Sequence, residues 1–527
     1  MTWTQTRLRV RGSCGTASAM TTTYGQRNAM SQLIKTNDSP PPVHSAAGET
    51  IVKAHLDAGP TGTLVYPGDA GWDRARAAWV INVDQQPAAV AVVRSTGDVS
   101  AVVISAARAG LKVMAQGTGH GATPVGSVVG TVLVRTTGLD AVQVNPADRT
   151  VWAGSGVEWG TVPAAAASHG LAAQAGSAPD VGIAGFLLSG GISWLSRSRG
   201  LAVNDVLALE VVGADGRGRV VDTDHEPDLF WALRGGGGSF GVVTGIKLRL
   251  HPQPTVTAGT LFLPMQRAGE VLHAWRRWTQ TVPDRTMSCG RLLQLPSLPD
   301  LPPPLSGQAF VVVEVAHQGS LAELNAAITP LRELGPTLDT IEEIPAAGLF
   351  ALHMDPPGPT PCRGNGMLLK DVPPSAIDAL VSQAGHGSGS PLLSVELRHL
   401  GGAVATRPTH PGAVGHFEAG FVMYAVGVTP DKAAEAKVEN FVRKVEQALA
   451  PWSSDIHYAN FDERAPGGRD RFHDRNTLDR LEAVKRRADP TGLFMCGHPV
   501  TAAAGSAVAS GAVPDPDSAR SLDMRRT

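Results

Sequence analysis

At residues 112–121 the chain reads Lys112-Val113-Met114-Ala115-Gln116-Gly117-Thr118-Gly119-His120-Gly121. The pattern of Lys112–Ala115 predicts a strand, and the glycines after it let successive backbone N–H groups converge on an anion, because no Cβ atom stands in the way. Such a loop can receive a phosphate or a pyrophosphate, although ordinary tight turns in a glycine-rich chain explain the same cluster. His120 is enclosed by two glycines rather than set on a periodic apolar face, which favours a functional histidine over a core histidine.

Three further glycine clusters lie between predicted elements, at Gly154-Ser155-Gly156, at residues 176–191 and at Gly235–Gly241. In the last of them, Gly236-x-Gly238-x-x-Gly241 formally matches the dinucleotide fingerprint GxGxxG. That fingerprint has to follow a strand and open a helix, whereas here a predicted helix precedes the glycines and a predicted strand follows them. We therefore reject a nicotinamide site of the Rossmann type.

The composition excludes several classes of protein. The 527 residues include 60 Gly and 39 Pro without a triplet period, so collagen is excluded, and 43% apolar residues can fill a large core. A formal net charge of −2 provides no field that would attract nucleic acid or an anionic membrane. Because a GC-rich, actinobacterial genome would enrich Ala, Gly, Pro and Arg together, the positions of the glycines carry the argument and their number does not.

The cysteines and the two ends of the chain indicate the compartment. Cys14, Cys289, Cys362 and Cys496 are scattered without a CxxC pair or metal-ligand spacing, so neither a disulfide framework nor a metal site is expected. No stretch reaches the ~20 apolar residues of a membrane span. Residues 1–45 lack the apolar region of an export signal and are predicted to be a disordered leader, and residues 501–527 a disordered tail. We expect a cytoplasmic protein.

Hydrophobic periodicity predicts an α+β chain with two textures. Between residues 88 and 252, strands are expected at Ala89–Val93, Lys112–Ala115, Val132–Arg135, Val151–Ala153, Val206–Val212 and Val242–Leu250, and helices at Asp98–Ala109, Val162–His169 and Asp228–Leu233. From residue 253, strands are expected at Leu261–Leu263, Ala309–Val315, Gly366–Lys370, Leu393–Leu397 and Gly420–Val428, and helices at 268–280, 320–334, 374–383 and 430–449. The segment Ser320-Leu321-Ala322-Glu323 has the form of a capping box, and a final amphipathic helix is expected at Leu478–Asp489.

Several short motifs occur in a specific order along the chain. They are Pro87 with residues 98–110, Gly119-His120, Ser177-Ala178-Pro179-Asp180-Val181-Gly182, Ser189-Gly190-Gly191, residues 228–236 with Phe240-Gly241-Val242-Val243-Thr244, residues 396–402, Tyr458-Ala459-Asn460 and Asp489-Pro490-Thr491-Gly492-Leu493-Phe494. In this order they resemble the FAD-linked oxidases of the vanillyl-alcohol-oxidase type, and within them the berberine-bridge-enzyme-like group. The resemblance covers residues 65–500.

The resemblance implies an α+β fold with a PCMH-type FAD-binding domain in two parts, at residues 46–252 and 461–500. Between them it implies a substrate-binding domain at residues 253–460, in which helices cover an antiparallel sheet. The change of texture near residue 253 agrees with that division.

The resemblance also implies FAD as the cofactor, carried through a covalent 8α-histidyl bond to His120. Many members of the group add a cysteinyl bond, but the matching position here holds Ala178, so a monocovalent flavin is predicted. The Arg and the Gly that the group usually has in the histidine loop are Gln116 and Thr118 here. No metal is implied, and the residues implied to bind FAD are His120, Gln116, Gly117, Thr118, Gly119, Gly121, Gly176, Ser177, Asp180, Val181, Gly182, Gly185, Gly190, Asp205, Gly241, Val243 and Asn460.

The resemblance does not by itself assign the catalytic base to one residue. Members of the group use a Glu or a Tyr from the substrate-domain sheet, and often the second Tyr of a Tyr-x-Asn-Tyr motif. That motif reads Tyr458-Ala459-Asn460-Phe461 here, and a phenylalanine ring has no proton to exchange. Tyr424 aligns with the position on the sheet, within an uncertainty that admits Glu418. We rank Tyr424 first as the base, Tyr458 second and Glu396 third, although Glu396 and His399 are equally well explained as an ion-paired strand.

These residues predict an FAD-dependent oxidase that removes a hydride from an alcohol or amine carbon of a small molecule, either a secondary metabolite or a sugar, with dioxygen as the acceptor. Two alternatives stay open: a flavin dehydrogenase with another acceptor, and a flavin-binding protein without turnover. The expected partners are the small-molecule substrate and dioxygen, with no nucleic acid and no membrane, and the chain is expected to be a monomer or a homodimer.

Overall fold

The computed structural model describes residues 9–10, 62–297, 299, 304–464 and 471–501. The predicted leader and tail lie outside these residues, apart from Arg9–Val10 and Thr501. Arg9–Val10 forms a short strand paired with Leu338–Asp339, so at these two residues the structure departs from the predicted disorder.

The strands of the described residues are, in chain order, β1 (Arg9–Val10), β2 (Thr63–Val65), β3 (Ala89–Val92), β4 (Lys112–Gln116), β5 (Thr131–Arg135), β6 (Val142–Asn145), β7 (Thr150–Gly154), β8 (Leu171–Ala172), β9 (Val206–Val212), β10 (Gly218–Val221), β11 (Val242–Arg249), β12 (His251–Pro252), β13 (Thr255–Pro264), β14 (Thr286–Gln294), β15 (Ala309–His317), β16 (Leu338–Asp339), β17 (Glu342–Pro345), β18 (Cys362–Leu369), β19 (Ser394–His399) and β20 (Phe421–Val428).

The α-helices of the same residues are α1 (Trp72–Arg76), α2 (Thr96–Arg108), α3 (Thr161–Ala167), α4 (Ile183–Leu187), α5 (Ser196–Arg199), α6 (Pro227–Gly236), α7 (Ala268–Thr279), α8 (Leu321–Arg332), α9 (Pro374–Ala384), α10 (Lys432–Leu449) and α11 (Arg475–Ala488). Short 3₁₀ turns lie at Thr123–Val125, Thr136–Gly138, Ala202–Asp205, Gly237–Ser239, Met265–Arg267, Ala346–Ala351, Gly402–Val404 and Ala450–Trp452.

The first half of the structure, residues 62–252, contains two larger sheets and the short antiparallel pair of β8 with β12. In one of the larger sheets, β5 pairs in parallel with both β3 and β4, and β2 lies antiparallel at the edge. The apolar residues of β3 and β5 are almost all buried, as expected for parallel strands covered on both faces. Since β4 ends at Gln116, the glycine loop begins at the carboxyl end of a largely buried strand.

The other larger sheet of this half has the order β10-β9-β11-β7-β6 and is antiparallel throughout. Helix α6 comes before the glycines at 235–241, and β11 follows them. This order confirms the argument against a Rossmann fingerprint, because a helix and not a strand leads into the glycines.

The second half is an antiparallel sheet with the order β1-β16-β13-β15-β14-β19-β20-β18, and β17 pairs with β13 outside this path. Helices α7, α8, α9 and α10 cover one face of the sheet, where their apolar residues form a core with Leu292, Val313, Leu397 and Met423. Helix α8 begins with the predicted capping box, in which Ser320 and Glu323 each accept a hydrogen bond from the other's backbone N–H. This arrangement confirms the predicted antiparallel sheet covered by helices.

The opposite face of the sheet packs against the first half of the structure. Its apolar residues, among them Met287, Cys289 and Val422, share a core with Ile192, Trp194 and other residues of the first half. This face also carries charged and phenolic side chains. Antiparallel pairing sets Arg291 opposite Glu396, and Glu396 opposite Tyr424, so these three side chains lie on one face.

The last described segment, residues 471–501, returns to the first half of the structure. Leu481 and Val484 of α11 lie in the same core as Phe230 and Leu233 of α6. Farther along, Val113 of β4 donates a backbone hydrogen bond to Leu493 and accepts one from Met495. The end of the described chain thus supports the strand that leads into the histidine loop.

Some elements differ from the sequence-based expectations. Strand β13 has ten residues where only Leu261–Leu263 was expected, and β14 was not expected at all. Strand β18 begins at Cys362, four residues before the expected start at Gly366. The sequence of β14, Thr-Met-Ser-Cys-Gly-Arg-Leu-Leu-Gln, alternates polar and apolar residues only over its first four positions, and Gly290 and the pair Leu292-Leu293 interrupt the pattern. Because both faces of the strand are buried, its polar residues do not mark a solvent face.

Candidate functional site

The histidine loop, residues 116–121, is tied to the segment at 176–182 and to Trp79. The Trp79 backbone N–H donates to the Thr118 carbonyl at 3.0 Å. The Gly182 N–H donates to Thr118 Oγ1 at 3.3 Å. Two of the predicted glycine clusters are therefore neighbours, although about sixty residues of chain separate Thr118 from Gly182.

Gly119 adopts a backbone conformation that favours glycine and also leaves no room for a side chain. Its φ is +94°, and a Cβ atom there would lie 2.9 Å from Cα of Ala78. Gly121 is different, since its φ is not in the left-handed region and a Cβ atom there would meet nothing within 4 Å.

We expect Gly119→Ala to lower the free energy of unfolding by about 1–3 kcal/mol, because the side chain would strain the backbone and displace the segment at Ala78. Gly121→Ala, two residues away, serves as the matched control and should stay within about 0.5 kcal/mol of the parent protein. Urea unfolding followed by tryptophan fluorescence measures both changes. Equal stability of the two variants would contradict this account of the loop.

His120 lies between an aromatic ring and a carboxylate. Its ring stacks on Trp79, with centroids 4.0 Å apart and planes 21° from parallel. Its Nε2 lies 3.2 Å from Asp180 Oδ1, and Trp79 Nε1 donates to Asp180 Oδ2 at 2.7 Å. Burial would raise the pKa of Asp180, but the contacts with His120 and Trp79 lower it below its ordinary value. Asp180 is therefore an ionised carboxylate held beside the histidine.

The loop is open to solvent on one side. Gly121 and Gly185 are exposed, and a Cβ atom at either would meet nothing within 4 Å, while one at Gly117 would meet nothing closer than 3.7 Å. Gln116 Nε2 and Ser155 Oγ are buried without a hydrogen-bond partner among the described residues. Buried polar groups of this kind generally have partners, so these two atoms point to a ligand that supplies them. The residues present fit FAD, because its pyrophosphate and ribityl chain carry many oxygen atoms that can serve as hydrogen-bond partners for Gln116 Nε2 and Ser155 Oγ.

A buried network of charges lies on the face of the large antiparallel sheet that packs against the first half of the structure. Arg291 Nη1 donates to Glu314 Oε1 at 3.0 Å, and Arg398 Nε donates to Glu396 Oε1 at 2.8 Å. His353 joins the two pairs, because its Nδ1 lies 2.7 Å from Glu314 and its Nε2 lies 2.6 Å from Glu396. Each charge in this network has a partner of opposite sign, as buried charges require.

The network sets the protonation of Glu396 and His353. Burial would raise the pKa of Glu396, but Arg398 and His353 lower it far below its usual range. Burial and Arg291 would lower the pKa of His353, but Glu314 and Glu396 raise it to about 9. A carboxylate at each ring nitrogen holds both nitrogens as donors, which is the imidazolium form.

This network predicts a pH-dependent loss of stability. A histidine whose pKa is raised on folding contributes stability that is complete below its ordinary pKa and lost as the pH rises through the folded value. We expect His353 to contribute up to about 3 kcal/mol near pH 6 and progressively less as the pH approaches 9.

Urea unfolding at a series of pH values from 6 to 9.5, with the parent protein and His353→Gln, tests this expectation. The variant should be less stable at pH 6 and should lose this part of the pH slope. His225→Gln is the matched control, because His225 also lies beside a carboxylate, Asp222, but is exposed. Identical slopes for the parent and His353→Gln would contradict the assignment.

Tyr424 lies on the same sheet face and donates from its hydroxyl to Glu463 Oε1 at 2.5 Å. The backbone N–H of Gly364 donates to the other oxygen of Glu463 at 3.1 Å. A Cβ atom at Gly364 would lie 2.5 Å from the Tyr424 hydroxyl, so the glycine provides the room for this contact. Burial raises the pKa of Glu463 above its ordinary value, and burial and Glu463 raise the pKa of Tyr424 well above its own.

The segment 458–461 lies beside this pair. The Phe461 ring is 4.6 Å from the Tyr424 ring. The Tyr458 hydroxyl accepts hydrogen bonds from the Ile192 N–H at 3.0 Å and from Asn460 Nδ2 at 2.9 Å. Burial raises the pKa of Tyr458 to about 12. Gly190 also belongs to this neighbourhood, because a Cβ atom there would lie 3.5 Å from the Tyr458 ring.

The remaining candidate residues are divided between the site and the core of the first half. Ser177 lies at the site, because its Oγ accepts from Arg398 Nη2 at 3.4 Å, and a Cβ at Gly176 would meet Phe186. Asp205 Oδ2 lies 2.7 Å from Nε2 of the buried His251. Three others have roles in the backbone or the core: Val181 accepts from Trp159 N–H, Gly241 packs on β9, and Val243 is a buried residue of β11.

Sequence reasoning missed several residues of this site, among them Trp79, His353 and Glu463. Trp79 and His353 lie in segments to which no element was assigned, and no local pattern distinguishes them. Glu463 lies two residues beyond Phe461, so the exchange of the usual Tyr at 461 was a signal that a nearby polar residue could take its place. Glu418, which the alignment admitted, has an exposed side chain. His399 contacts Arg197 instead of Glu396.

Neither a metal centre nor a membrane-spanning helix is found among the described residues. No group of three or more His, Cys, Asp or Glu side chains in these ranges is arranged to hold a metal ion. Among the same residues, every helix is too short or too polar to cross a lipid bilayer.

Comparison with known proteins identifies the cofactor of the first half. Residues 87–223 match the family described as FAD binding domain. The FAD-linked oxidoreductase pytB of Aspergillus terreus is 36% identical over 192 residues, which are 36% of this chain and 24% of that protein. The (R)-6-hydroxynicotine oxidase of Paenarthrobacter nicotinovorans is 33% identical over 193 residues, 37% of this chain and 42% of that protein. The chain therefore matches less than half the length of each of these two relatives.

One relative and two solved structures extend over most of the chain. The Uncharacterized FAD-linked oxidoreductase YvdP of Bacillus subtilis is 26% identical over 450 residues, 82% of this chain and 96% of that protein. The BBE-like 1 protein of Physcomitrella patens has a TM-score of 0.75 at 19% identity, over 86% of this chain and 99% of its own. The glucooligosaccharide oxidase of Acremonium strictum, whose structure is described as revealing a novel flavinylation, has a TM-score of 0.72 at 22% identity, over 86% of this chain and 98% of its own.

These findings confirm the predicted FAD binding domain and the predicted berberine-bridge-enzyme-like fold. The relatives are named oxidoreductases and oxidases, in agreement with the prediction of an FAD-linked enzyme.

Proposed function

Because this chain carries an FAD binding domain at residues 87–223 within a berberine-bridge-enzyme-like fold, we propose that it is an FAD-dependent oxidase. It removes a hydride from an alcohol or amine carbon of a small molecule, a secondary metabolite or a sugar, and dioxygen is the final acceptor. The names of two similar proteins, a hydroxynicotine oxidase and a glucooligosaccharide oxidase, support oxidation at an amine carbon and at an alcohol carbon, respectively.

In this proposal the two halves of the structure have separate tasks. Residues 46–252 and 461–500 hold FAD, and residues 253–460 bind the substrate against the charged sheet face. FAD is attached through one covalent bond, to His120, because Ala178 stands where relatives have the second attachment. Gln116 Nε2, which is buried without a hydrogen-bond partner among the described residues, supports a ligand at the histidine loop.

FAD, when bound, supplies the hydride acceptor and is reoxidised by dioxygen. The chain itself must then take the proton from the substrate hydroxyl or amine as the hydride leaves. We assign this task to Tyr424 together with Glu463. As the Tyr424 oxygen accepts the substrate proton, its own proton passes along the existing hydrogen bond to Glu463 Oε1.

The 2.5 Å contact between Tyr424 and Glu463 is the observation that carries this assignment. A tyrosine alone is a poor base at neutral pH, because its phenolate is too costly to form. A neighbouring carboxylate with a raised pKa removes this difficulty, since the pair can accept a proton without a free phenolate.

The other two candidate bases suit the role less well. Tyr458 already accepts two hydrogen bonds, and its pKa of about 12 keeps it protonated. Glu396 has a pKa far below neutrality and is paired with Arg398 and His353, so it gains little by accepting a proton. We propose that Glu396 orients Arg398 and that Tyr458 orients Asn460 and the backbone at Ile192.

A substrate screen that follows hydrogen peroxide tests the proposed function. The panel should contain oligosaccharides, aromatic alcohols and cyclic amines. An active compound should bleach the flavin absorbance anaerobically, and admission of air should restore the absorbance with formation of peroxide. Bleaching without reoxidation in air would contradict dioxygen as the acceptor. Absence of bleaching across the panel, in protein that contains FAD, would contradict the choice of substrate class.

We further propose that the enzyme acts in the cytoplasm, as a monomer or a homodimer, without nucleic acid or membrane partners. The net charge of −2 supports this part of the proposal, because it provides no positive field that would attract nucleic acid or an anionic membrane.

A further inference from the structure

Asp180 lies beside the histidine loop, and the proposed reaction leaves its purpose open. Its Oδ1 lies 3.2 Å from Nε2 of His120 as a charge contact without hydrogen-bond alignment, and its Oδ2 accepts from Trp79 Nε1 at 2.7 Å. The His120 and Asp180 side chains are only 23% and 24% exposed. The Trp79 ring also stacks on the His120 ring, so one indole holds both partners.

The side on which Asp180 lies distinguishes the two nitrogens of the imidazole. A neutral histidine carries a proton on one nitrogen and a lone pair on the other, and a hydrogen-bond acceptor beside one nitrogen selects the tautomer. A carboxylate at Nε2 favours the tautomer with the proton on Nε2 and makes the other nitrogen more basic. Nδ1 is then the nucleophilic nitrogen of His120.

We propose that Asp180 is a positioning residue for attachment of the flavin, which fixes the His120 tautomer and holds the Nε2 proton while Nδ1 forms the covalent bond. This inference rests on the proposed attachment of FAD to His120. It goes beyond that proposal because it names the group that makes this histidine reactive.

The attachment step has to balance in atoms and electrons. One C–H bond of the flavin 8-methyl group breaks, and an N–C bond to His120 Nδ1 forms. The methyl proton leaves to solvent, and two electrons remain on the flavin ring. Dioxygen then removes these two electrons and, with two protons from solvent, becomes hydrogen peroxide. The Nε2 proton stays between His120 and Asp180, so the positive charge that develops on the imidazole faces a carboxylate.

A second carboxylate nearby offers a matched control. Burial and Asp180 raise the pKa of Glu158, and His120 lowers it, so Glu158 senses the charges of both residues. It makes no contact with His120 Nε2 within ion-pair distance among the described residues. Substitution of Glu158 therefore changes the local charge without changing the contact at Nε2.

The experiment uses the full chain, prepared without FAD from riboflavin-limited cells and then mixed with FAD in air. Samples are quenched in acid over time, and the covalent fraction is read from flavin fluorescence in a denaturing gel and from the intact mass. Non-covalent affinity for FAD is measured separately under anaerobic conditions, and thermal unfolding reports whether each variant is folded.

We expect Asp180→Asn to slow formation of the covalent bond by about 10–100-fold with little change in the affinity for FAD. Trp79→Phe, which keeps an aromatic ring but removes the N–H donor, should cause a smaller loss in the same direction. Glu158→Gln should attach flavin at the parent rate. In Asp180→Ala, added formate should restore part of the rate, because it can occupy the position of the missing carboxylate.

Each outcome has a separate meaning. Parent protein that never forms a covalent adduct overturns the proposed attachment to His120. Parent protein that does form one, together with Asp180→Asn at the same rate, overturns the role of Asp180 alone. A third outcome also overturns the inference. If Asp180→Asn attaches flavin slowly but has lost FAD affinity or thermal stability, and formate does not restore the rate of Asp180→Ala, then Asp180 is a structural residue.

Discussion

Tyr424→Phe is expected to lower kcat/KM by about 10²–10⁴-fold, the usual loss when a positioned acid or base is removed. The variant loses the oxygen that receives the substrate proton, but it keeps the aromatic ring that packs on Phe461. Glu463→Gln should show a loss of similar size, because the amide can still accept the phenol hydrogen bond but cannot take up the proton. Steady-state turnover on an active compound from the peroxide screen measures both effects.

The pH profile separates this role from a packing role. The pair works only while Glu463 is ionised, so kcat/KM should fall as the pH drops through the pKa of Glu463. Burial raises that pKa, so the fall should begin above the usual range of a glutamate. In Glu463→Gln this acidic limb should disappear.

Glu418→Gln is the control for the proposed base, because Glu418 precedes the same strand but its side chain is exposed. It should retain the parent kcat/KM. A large loss in Glu418→Gln with full activity in Tyr424→Phe would mean that the alignment of the base position is displaced, and that the contact between Tyr424 and Glu463 has another purpose.

His120→Ala is expected to abolish the covalent flavin entirely. The parent protein should keep its yellow colour in an acid-precipitated pellet, whereas the variant should release all of its FAD into the supernatant. The physical reason is that no other side chain of the loop is expected to form the bond, and the position at which the resemblance implies a second attachment holds Ala178. The intact mass of the parent should therefore show a single adduct.

His169→Ala is the control for this experiment, because His169 is an exposed residue just beyond α3 in the same half of the structure. It should give a yellow pellet. A colourless pellet from the parent protein would overturn the covalent attachment. Evidence for a second bond between the parent protein and the flavin would show that a residue other than Ala178 forms it.

The sequence alone determined the class of the fold and predicted where the cofactor loop would lie. The order of the motifs is a one-dimensional property, and Gly119-His120 can be recognised without knowing its neighbours. The parallel strands β3, β4 and β5 could be predicted from short apolar, β-branched runs, and the amphipathic helices α7 to α10 from local periodicity. Strand β14 was missed because Gly290 and Arg291 interrupt its apolar residues.

The tertiary structure decided which side chains act together. Asp180 could be named from its motif, but only folding brings it to His120 and Trp79. Glu463 reaches Tyr424, and His353 joins Glu314 to Glu396, across long stretches of chain. The pKa values of these groups depend on burial and on charges within a few ångströms, and neither exists in an extended chain. The sequence therefore predicted a flavin loop at residues 116–121, and three-dimensional contacts decided which charged and polar groups lie together around it and on the sheet face.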